Sequence, residues 1–226
     1  GNLIFSHDRS ENGVFTYDSK FTLFKIKAWK DSITEMKRRK VKKDKMPLDS
    51  LGIFNIDKLT LQKISNIKSY KIPEKWSGFI AYTYEILSGQ KEKKNQDSEV
   101  SVKNKSSKKL KKPSSKNGYP LVIRNLDSSI EDTIPYVTNY TFSKKSKFLA
   151  YTTTGIKDSI QAGVYIKNLK SNSIKHVYSS HDKAKYYKLS LSDSGKNLAF
   201  VVDADSTKSY NRPYELYSWN FKNEKA

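Results

Sequence analysis

Phe142-Ser-Lys-Lys-Ser-Lys-Phe-Leu-Ala-Tyr151 and Leu191-Ser-Asp-Ser-Gly-Lys-Asn-Leu-Ala-Phe200 are two copies of one unit, 49 residues apart. Each runs from a polar turn into a short apolar strand. Phe15-Thr-Tyr-Asp-Ser-Lys-Phe-Thr-Leu-Phe24 is a third copy, and Ile72-Pro-Glu-Lys-Trp-Ser-Gly-Phe-Ile-Ala-Tyr82 a looser fourth. A second unit follows each of them. It reads Leu51-Gly-Ile-Phe-Asn-Ile-Asp57, then Leu121-Val-Ile-Arg-Asn-Leu-Asp127, then Val164-Tyr-Ile-Lys-Asn-Leu-Lys170, and Pro213-Tyr-Glu-Leu-Tyr-Ser-Trp-Asn220 begins a fourth. Every copy therefore predicts strand, strand, connection, strand, turn, strand, with an Asn-Leu/Ile turn closing the outer hairpin.

Short strands in four-stranded antiparallel units, repeating every 43–50 residues once two insertions are set aside, mark an all-β fold. The expectation is part of a β-propeller of about four blades, covering 3–67, 68–135, 136–181 and 182–226. The alternative is a single antiparallel sandwich of unrelated hairpins, which matched offsets over four copies disfavour. The fourth unit lacks its last strand, and four closed blades are rare, so the rest of the ring is expected on another piece of polypeptide. Phe24, Tyr82, Tyr151 and Phe200 should occupy equivalent core positions, as should Ile53, Ile123, Ile166 and Tyr217.

The chain has 226 residues, 43 Lys+Arg against 23 Asp+Glu, and a formal net charge of +20. Residues 25–45 and 88–118 each hold ten basic and three acidic side chains, so two stretches supply most of the excess. Arginine occurs only at positions 9, 38, 39, 124 and 212. Base-reading surfaces favour its bidentate fork, so the charge is read as solvated surface, with no nucleic-acid partner. The stretch 88–118 has almost no apolar residue to bury and is read as a disordered Lys-rich insertion in the second blade. In the first stretch, Ser32-Ile33-Thr34-Glu35 matches a capping box and Met46-Pro47 a stop, predicting a short helical insert over 33–44.

Catalytic and metal motifs are sparse. The absence of cysteine removes thiolates, disulfides and Cys-based zinc sites. There is no Gly-x-Ser-x-Gly elbow, and Gly195-Lys196 lacks the upstream glycine of a phosphate loop. His7, His176 and His181 show no metal-ligand spacing beyond the 176/181 pair, across which a turn is predicted. Asp203-Ala-Asp205 begins like a calcium loop, but Lys208 and Tyr214 stand where Gly and Glu belong. Glu131-Asp132 are read as a solvated hairpin tip, and Asn139-Tyr-Thr141 fits a glycosylation acceptor by pattern alone. No catalytic, cofactor-binding or metal-binding residue is assigned, and no cofactor is expected. No stretch approaches a membrane span of about 18 apolar residues. Gly1-Asn2-Leu3-Ile4 does not read as a signal peptide, so any such peptide is expected upstream or removed.

Ser192-Asp193-Ser194-Gly195-Lys196-Asn197-Leu198-Ala199-Phe200 and Gly163-Val164-Tyr165-Ile166-Lys167-Asn168-Leu169 resemble the TolB-like propeller repeat. Three longer strings, Asp44-Lys45-Met46-Pro47-Leu48-Asp49-Ser50-Leu51, Lys75-Trp76-Ser77-Gly78-Phe79-Ile80-Ala81-Tyr82 and Arg212-Pro213-Tyr214-Glu215-Leu216-Tyr217-Ser218-Trp219, go further. They are similar to the amino-terminal propeller of exported prolyl oligopeptidase-like serine peptidases of Bacteroidota. That resemblance implies a propeller capping an α/β-hydrolase domain of the same parent chain, where Ser, His and Asp act on a peptide substrate. It also implies the periplasm or cell envelope. The Glu pair by which the dipeptidyl-peptidase branch holds an amino terminus is not found here. The competing class is a non-catalytic binding or scaffold propeller in a cell-envelope complex.

Overall fold

The computed structural model describes residues 1–42, 45–85, 111–181, 184–205, 207 and 213–222. Its strands, in chain order, are β1 (Ser10–Phe15), β2 (Phe21–Ile26), β3 (Ser50–Asn55), β4 (Thr60–Ile64), β5 (Ile67–Lys71), β6 (Phe79–Tyr84), β7 (Tyr119–Asn125), β8 (Glu131–Phe142), β9 (Phe148–Thr153), β10 (Gly163–Asn168), β11 (Ser173–Tyr178), β12 (Lys185–Leu191), β13 (Asn197–Asp203) and β14 (Glu215–Asn220). All pairing between them is antiparallel and sequential.

The sheets resolve into four units. β1–β4 form the first and β12–β14 the fourth. Between them runs a continuous ladder from β5 to β11, joined through the 12-residue strand β8. The first half of β8 pairs with β7, up to Val137, and its second half pairs with β9, from Val137 to Phe142. One strand thus serves as the outer edge of the second unit and the inner edge of the third.

The repeat recurs at the level of single hydrogen bonds. Asn55, Asn125, Asn168 and Asn220 each accept, through Oδ1, a backbone N–H two or three residues on, which is the Asx turn that closes a tight hairpin. The following residue then donates its N–H to the chain just before the neighbouring strand. The four bonds are Ile56 to Lys20 O, Leu126 to Gly78 O, Leu169 to Lys147 O and Phe221 to Lys196 O, all at 2.8–2.9 Å. Leu59, Ser129 and Asn172 occupy the same left-handed position in their tips, with φ of 52°, 59° and 55°. Each innermost strand, β1, β5, the inner half of β8 and β12, also carries one bulge against its partner. An extra residue there adds twist and bends the strand.

Successive units pack face to face. Leu23, Leu51 and Ile53 of the first meet Ile80, Tyr82 and Val122 of the second. Ala81, Leu121 and Ile123 on the other face of the second meet Leu149 and Tyr151 of the third. Ala150, Val164 and Ile166 meet Leu198, Phe200, Val202 and Trp219 of the fourth. Covered on both faces, the central strands β3, β6, β7 and β9 read as unbroken apolar runs, where a one-sided sheet would alternate. Among the described residues no buried cluster joins the first unit to the fourth. The chain is an open arc of propeller blades.

Phe24, Tyr82, Tyr151 and Phe200 are all buried, and each faces the preceding side of its blade. Ile53, Ile123 and Ile166 lie opposite Leu23, Ala81 and Ala150 and face the following side. The expected fourth member, Tyr217, is a correction. The ladder sets Tyr217 opposite Phe200 and places Ser218 opposite Ala199, so Ser218 is the true equivalent. A slip of one residue turns a side chain to the other face.

The helical insert also differs from expectation. α1 covers Lys30–Arg38, not 33–44, and Ser32 lies inside it. No side chain caps its start, at Trp29, and the Arg9 guanidinium sits 4.1 Å over the Trp29 ring. The helix stops because Lys40 turns left-handed (φ 53°). Its N–H then bonds Lys37 O, and the Val41 N–H bonds Met36 O, a Schellman closure. The Lys-rich stretch 88–118 lies outside the described residues as far as 110. Its last eight residues are held: Ser114 and Gly118 exchange backbone bonds, and Tyr136 Oη donates to Lys111 O at 2.6 Å.

Candidate functional site

The inner strands of the arc and the turns at their ends form its concave wall. At one end the wall is clamped turn to turn. Lys75 N–H bonds Lys144 O, Lys145 N–H bonds Asp193 O, and the buried Trp76 donates through Nε1 to Ser143 O at 2.9 Å. Charges there are matched, with Lys144 at 3.1 Å from Glu74 and Lys145 at 3.5 Å from Asp193. A cleft of about 500 Å³ lies among these residues.

Midway along the wall, Tyr140 Oη and Thr83 Oγ1 both lie within hydrogen-bond distance of Ser69 Oγ, at 2.9 and 2.7 Å. Burial pushes the Tyr140 hydroxyl up to about 12, against the opposing pull of the Ser69 and Thr83 hydroxyls. The Lys71 ammonium donates to Tyr140 O at 2.7 Å, and burial lowers its pKa. Ser69 has hydroxyl neighbours and no histidine or carboxylate partner among its hydrogen bonds, so nothing here activates it as a nucleophile.

At the opposite end a groove of about 540 Å³ opens between the inner half of β8 and β12, with the 114–118 turn closing one side. Lys116, Lys185 and Lys188 line it together with Asn139, Tyr186 and Tyr187, and no carboxylate among the described residues does. β12 is an edge strand of its sheet, and Lys188 sits within its bulge in the left-handed region (φ 51°).

The residues singled out in the sequence are not gathered into one site. His7 Nδ1 contacts Ser10 Oγ and Asp8 O, His176 stacks on Tyr165 at 4.7 Å between ring centres, and His181 Nε2 lies 2.6 Å from Ala204 O. No group of three metal-ligating side chains occurs among the described residues. Asp203 and Asp205 accept the backbone N–H groups of Asp205 and Thr207, the work of a turn. Gly195 takes φ 70° in the turn before β13, against the Phe148 ring.

Glu131 and Asp132 stay partly solvated, as expected, but they begin β8 and each is ion-paired. Glu131 receives Arg124 Nη1 and Tyr82 Oη, both at 2.9 Å, while burial and the Glu131 charge drive the Tyr82 pKa upward. Asp132 pairs at 2.7 Å with Lys167 of the next blade, whose side chain is only 3 % exposed. Adjacent strand residues point to opposite faces, so these neighbours brace two different seams and cannot share a proton.

A carboxylate in the first inner turn supplies a pH-dependent term. Burial raises the Asp18 pKa, but hydrogen bonds from Thr16 and Ser77 outweigh it and hold the carboxyl below its ordinary 3.8. The unfolded chain then binds the proton more readily. This stabilisation is complete above pH 3.8 and lost as pH falls through the lower folded value. Between pH 4 and 2, urea midpoints of the wild type should fall more steeply than those of Asp18→Asn, and equal slopes would remove the assignment.

No protein-family model and no curated protein matches the chain. Among solved structures it is similar to the tricorn protease, at 11 % identity and TM-score 0.48, over 89 % of this chain and 17 % of that one. The β-propeller domain of the Trilobed protease from Pyrococcus furiosus gives 10 % identity and TM-score 0.47, over 93 % and 54 %. Pyrococcus horikoshii acylaminoacyl peptidase gives 9 % identity and TM-score 0.45, over 94 % and 31 %. The chain thus spans from about a sixth to about half the length of these proteins. Its own repeated turns, bulges and inter-blade clusters carry the conclusion that it is a run of four propeller blades.

Proposed function

We propose that these blades are the non-catalytic part of a prolyl oligopeptidase-like serine peptidase, gating access to a hydrolase domain of the parent polypeptide and helping to position peptides. The observation that carries this reading is the contrast between the two ends of the arc. On the preceding side of the first blade, Phe24, Ile26 and Phe54 are covered by Phe5, whose ring lies 4.0 Å from that of Phe54. On the following side of the fourth blade no described residue covers Leu216, which is 76 % exposed, or the neighbouring Ser218. With Ala199 and Val201 of β13 half-buried beside them, this partly apolar face suits a further blade, and an open edge invites a strand. Further blades and the hydrolase domain are the partners this reading requires, and an exported location belongs to the same proposal.

The blades supply no nucleophile–base pair among the described residues, so the chemistry is assigned elsewhere. A fluorophosphonate probe applied to the parent polypeptide should label one serine outside residues 1–226, and the isolated segment should stay unlabelled. Failure to label the parent at all would favour a binding or scaffold propeller. A labelled serine within 1–226 would contradict the assignment of roles.

A further inference from the structure

We propose that the groove between β8 and β12 binds an extended acidic peptide segment, main chain against the β12 edge and carboxylates toward Lys116, Lys185 and Lys188. This rests on the peptide-positioning role proposed above.

Three observations converge on it. The first is charge. Lysines at the other end of the wall are matched by Glu74 and Asp193, whereas none of the three groove lysines forms an ion pair among the described residues. Three cations around one concavity, with no carboxylate among its described lining residues, set up a local positive potential that attracts anions. The second is the edge. Among the described strands β12 pairs with β13 alone, and its bulge between Tyr187 and Ser190 leaves an extra residue outside the ladder. An edge strand is where an incoming extended peptide adds its main chain. The third is an available neutral donor. Asn139 Oδ1 accepts the Tyr140 N–H at 2.9 Å, which leaves its amide N–H₂ for a carboxylate or a peptide carbonyl.

The edge decides between ligand classes. An oligonucleotide would use the lysines but lacks the alternating N–H and C=O groups, at strand spacing, that pair along a sheet edge. A guard function is the remaining possibility, since lysines on edges also prevent sheet-to-sheet association.

The test is fluorescence anisotropy on the full polypeptide bearing these residues, with a labelled octapeptide of alternating Glu and Ser, its Gln–Ser counterpart and an eight-nucleotide uridylate. Each exposed lysine–carboxylate pair contributes about twofold. The Glu peptide should therefore bind about tenfold tighter than the Gln peptide, and Lys116→Gln/Lys185→Gln/Lys188→Asn should remove that margin. The control Lys58→Gln/Lys170→Gln/Lys222→Gln, with the same charge change at hairpin tips, should stay within about twofold of wild type. The proposal is overturned if the control loses as much affinity or if the uridylate binds tighter than the Glu peptide. A groove variant that keeps its affinity but self-associates would assign the lysines to edge protection and overturn it equally. The measurement reads affinity whether or not the polypeptide carries a reactive serine, so it can fail independently of the probe-labelling result.

Discussion

Phe200→Ala is expected to destabilise the protein by about 3–5 kcal/mol, measured by urea unfolding at pH 7. Phe200 is fully buried where the third and fourth blades meet. Its ring lies parallel to Tyr217 at 5.6 Å and tilted against Tyr178 of the preceding blade at 5.7 Å. Removing it leaves a cavity walled by Leu198, Val202 and Ile166, side chains on strands fixed by ladders and unable to collapse inward. Phe200→Leu, which keeps most of the volume, should cost less than half as much. Equal costs for the two substitutions would show that this seam is not tightly packed.

Trp76→Ala should cost a similar amount, about 3–5 kcal/mol, by a different route. Trp76 sits in the turn before β6 but packs across the next seam, edge-on to Phe142 at 5.5 Å, while Nε1 donates to Ser143 O. Trp76→Phe retains much of the packing and strands that carbonyl, so about 1–2 kcal/mol is expected. Phe142→Ala should be markedly non-additive with Trp76→Ala, because the two rings share one contact. Additive losses would place Trp76 outside the clamp between the second and third blades.

Much of the fold was legible because each blade is buried on two faces. The runs Leu149-Ala150-Tyr151 and Leu198-Ala199-Phe200 stay apolar without alternating, and the Asn of each outer hairpin fixes its turn through its own side chain. What escaped was set by detail that composition does not carry. Tyr217 reads as the equivalent of Ile166 until the β13–β14 ladder is counted, when Ser218 takes that place. Ser32 and Glu35 spell a capping box, yet the helix starts at Lys30, and its end is decided by the backbone at Lys40.

The candidate groove was less legible still. Lys116, Asn139 and Lys185 come from three blades and meet only when the arc forms, and the bulge at Lys188 has no sequence signature. Glu131 and Asp132 were visible as a pair, but the partners that decide their roles, Arg124, Tyr82 and Lys167, belong to different strands and seams.

The central claim is that four equivalent blades follow one another around an arc that does not close on itself. Because the chain contains no cysteine, spin labels can be placed without background at Asp57, Asp127, Lys170 and Lys222, the exposed tips two residues beyond the four turn asparagines. Pulsed electron–electron distance measurements on the pairs 57/127, 127/170, 170/222, 57/170 and 57/222 then read the architecture directly. The account predicts three similar adjacent distances, a longer one for 57/170 and the longest for 57/222. A 57/222 distance equal to the adjacent ones would mean that the four blades close into their own ring. Adjacent distances that differ widely would mean that the repeats are not blades of one propeller.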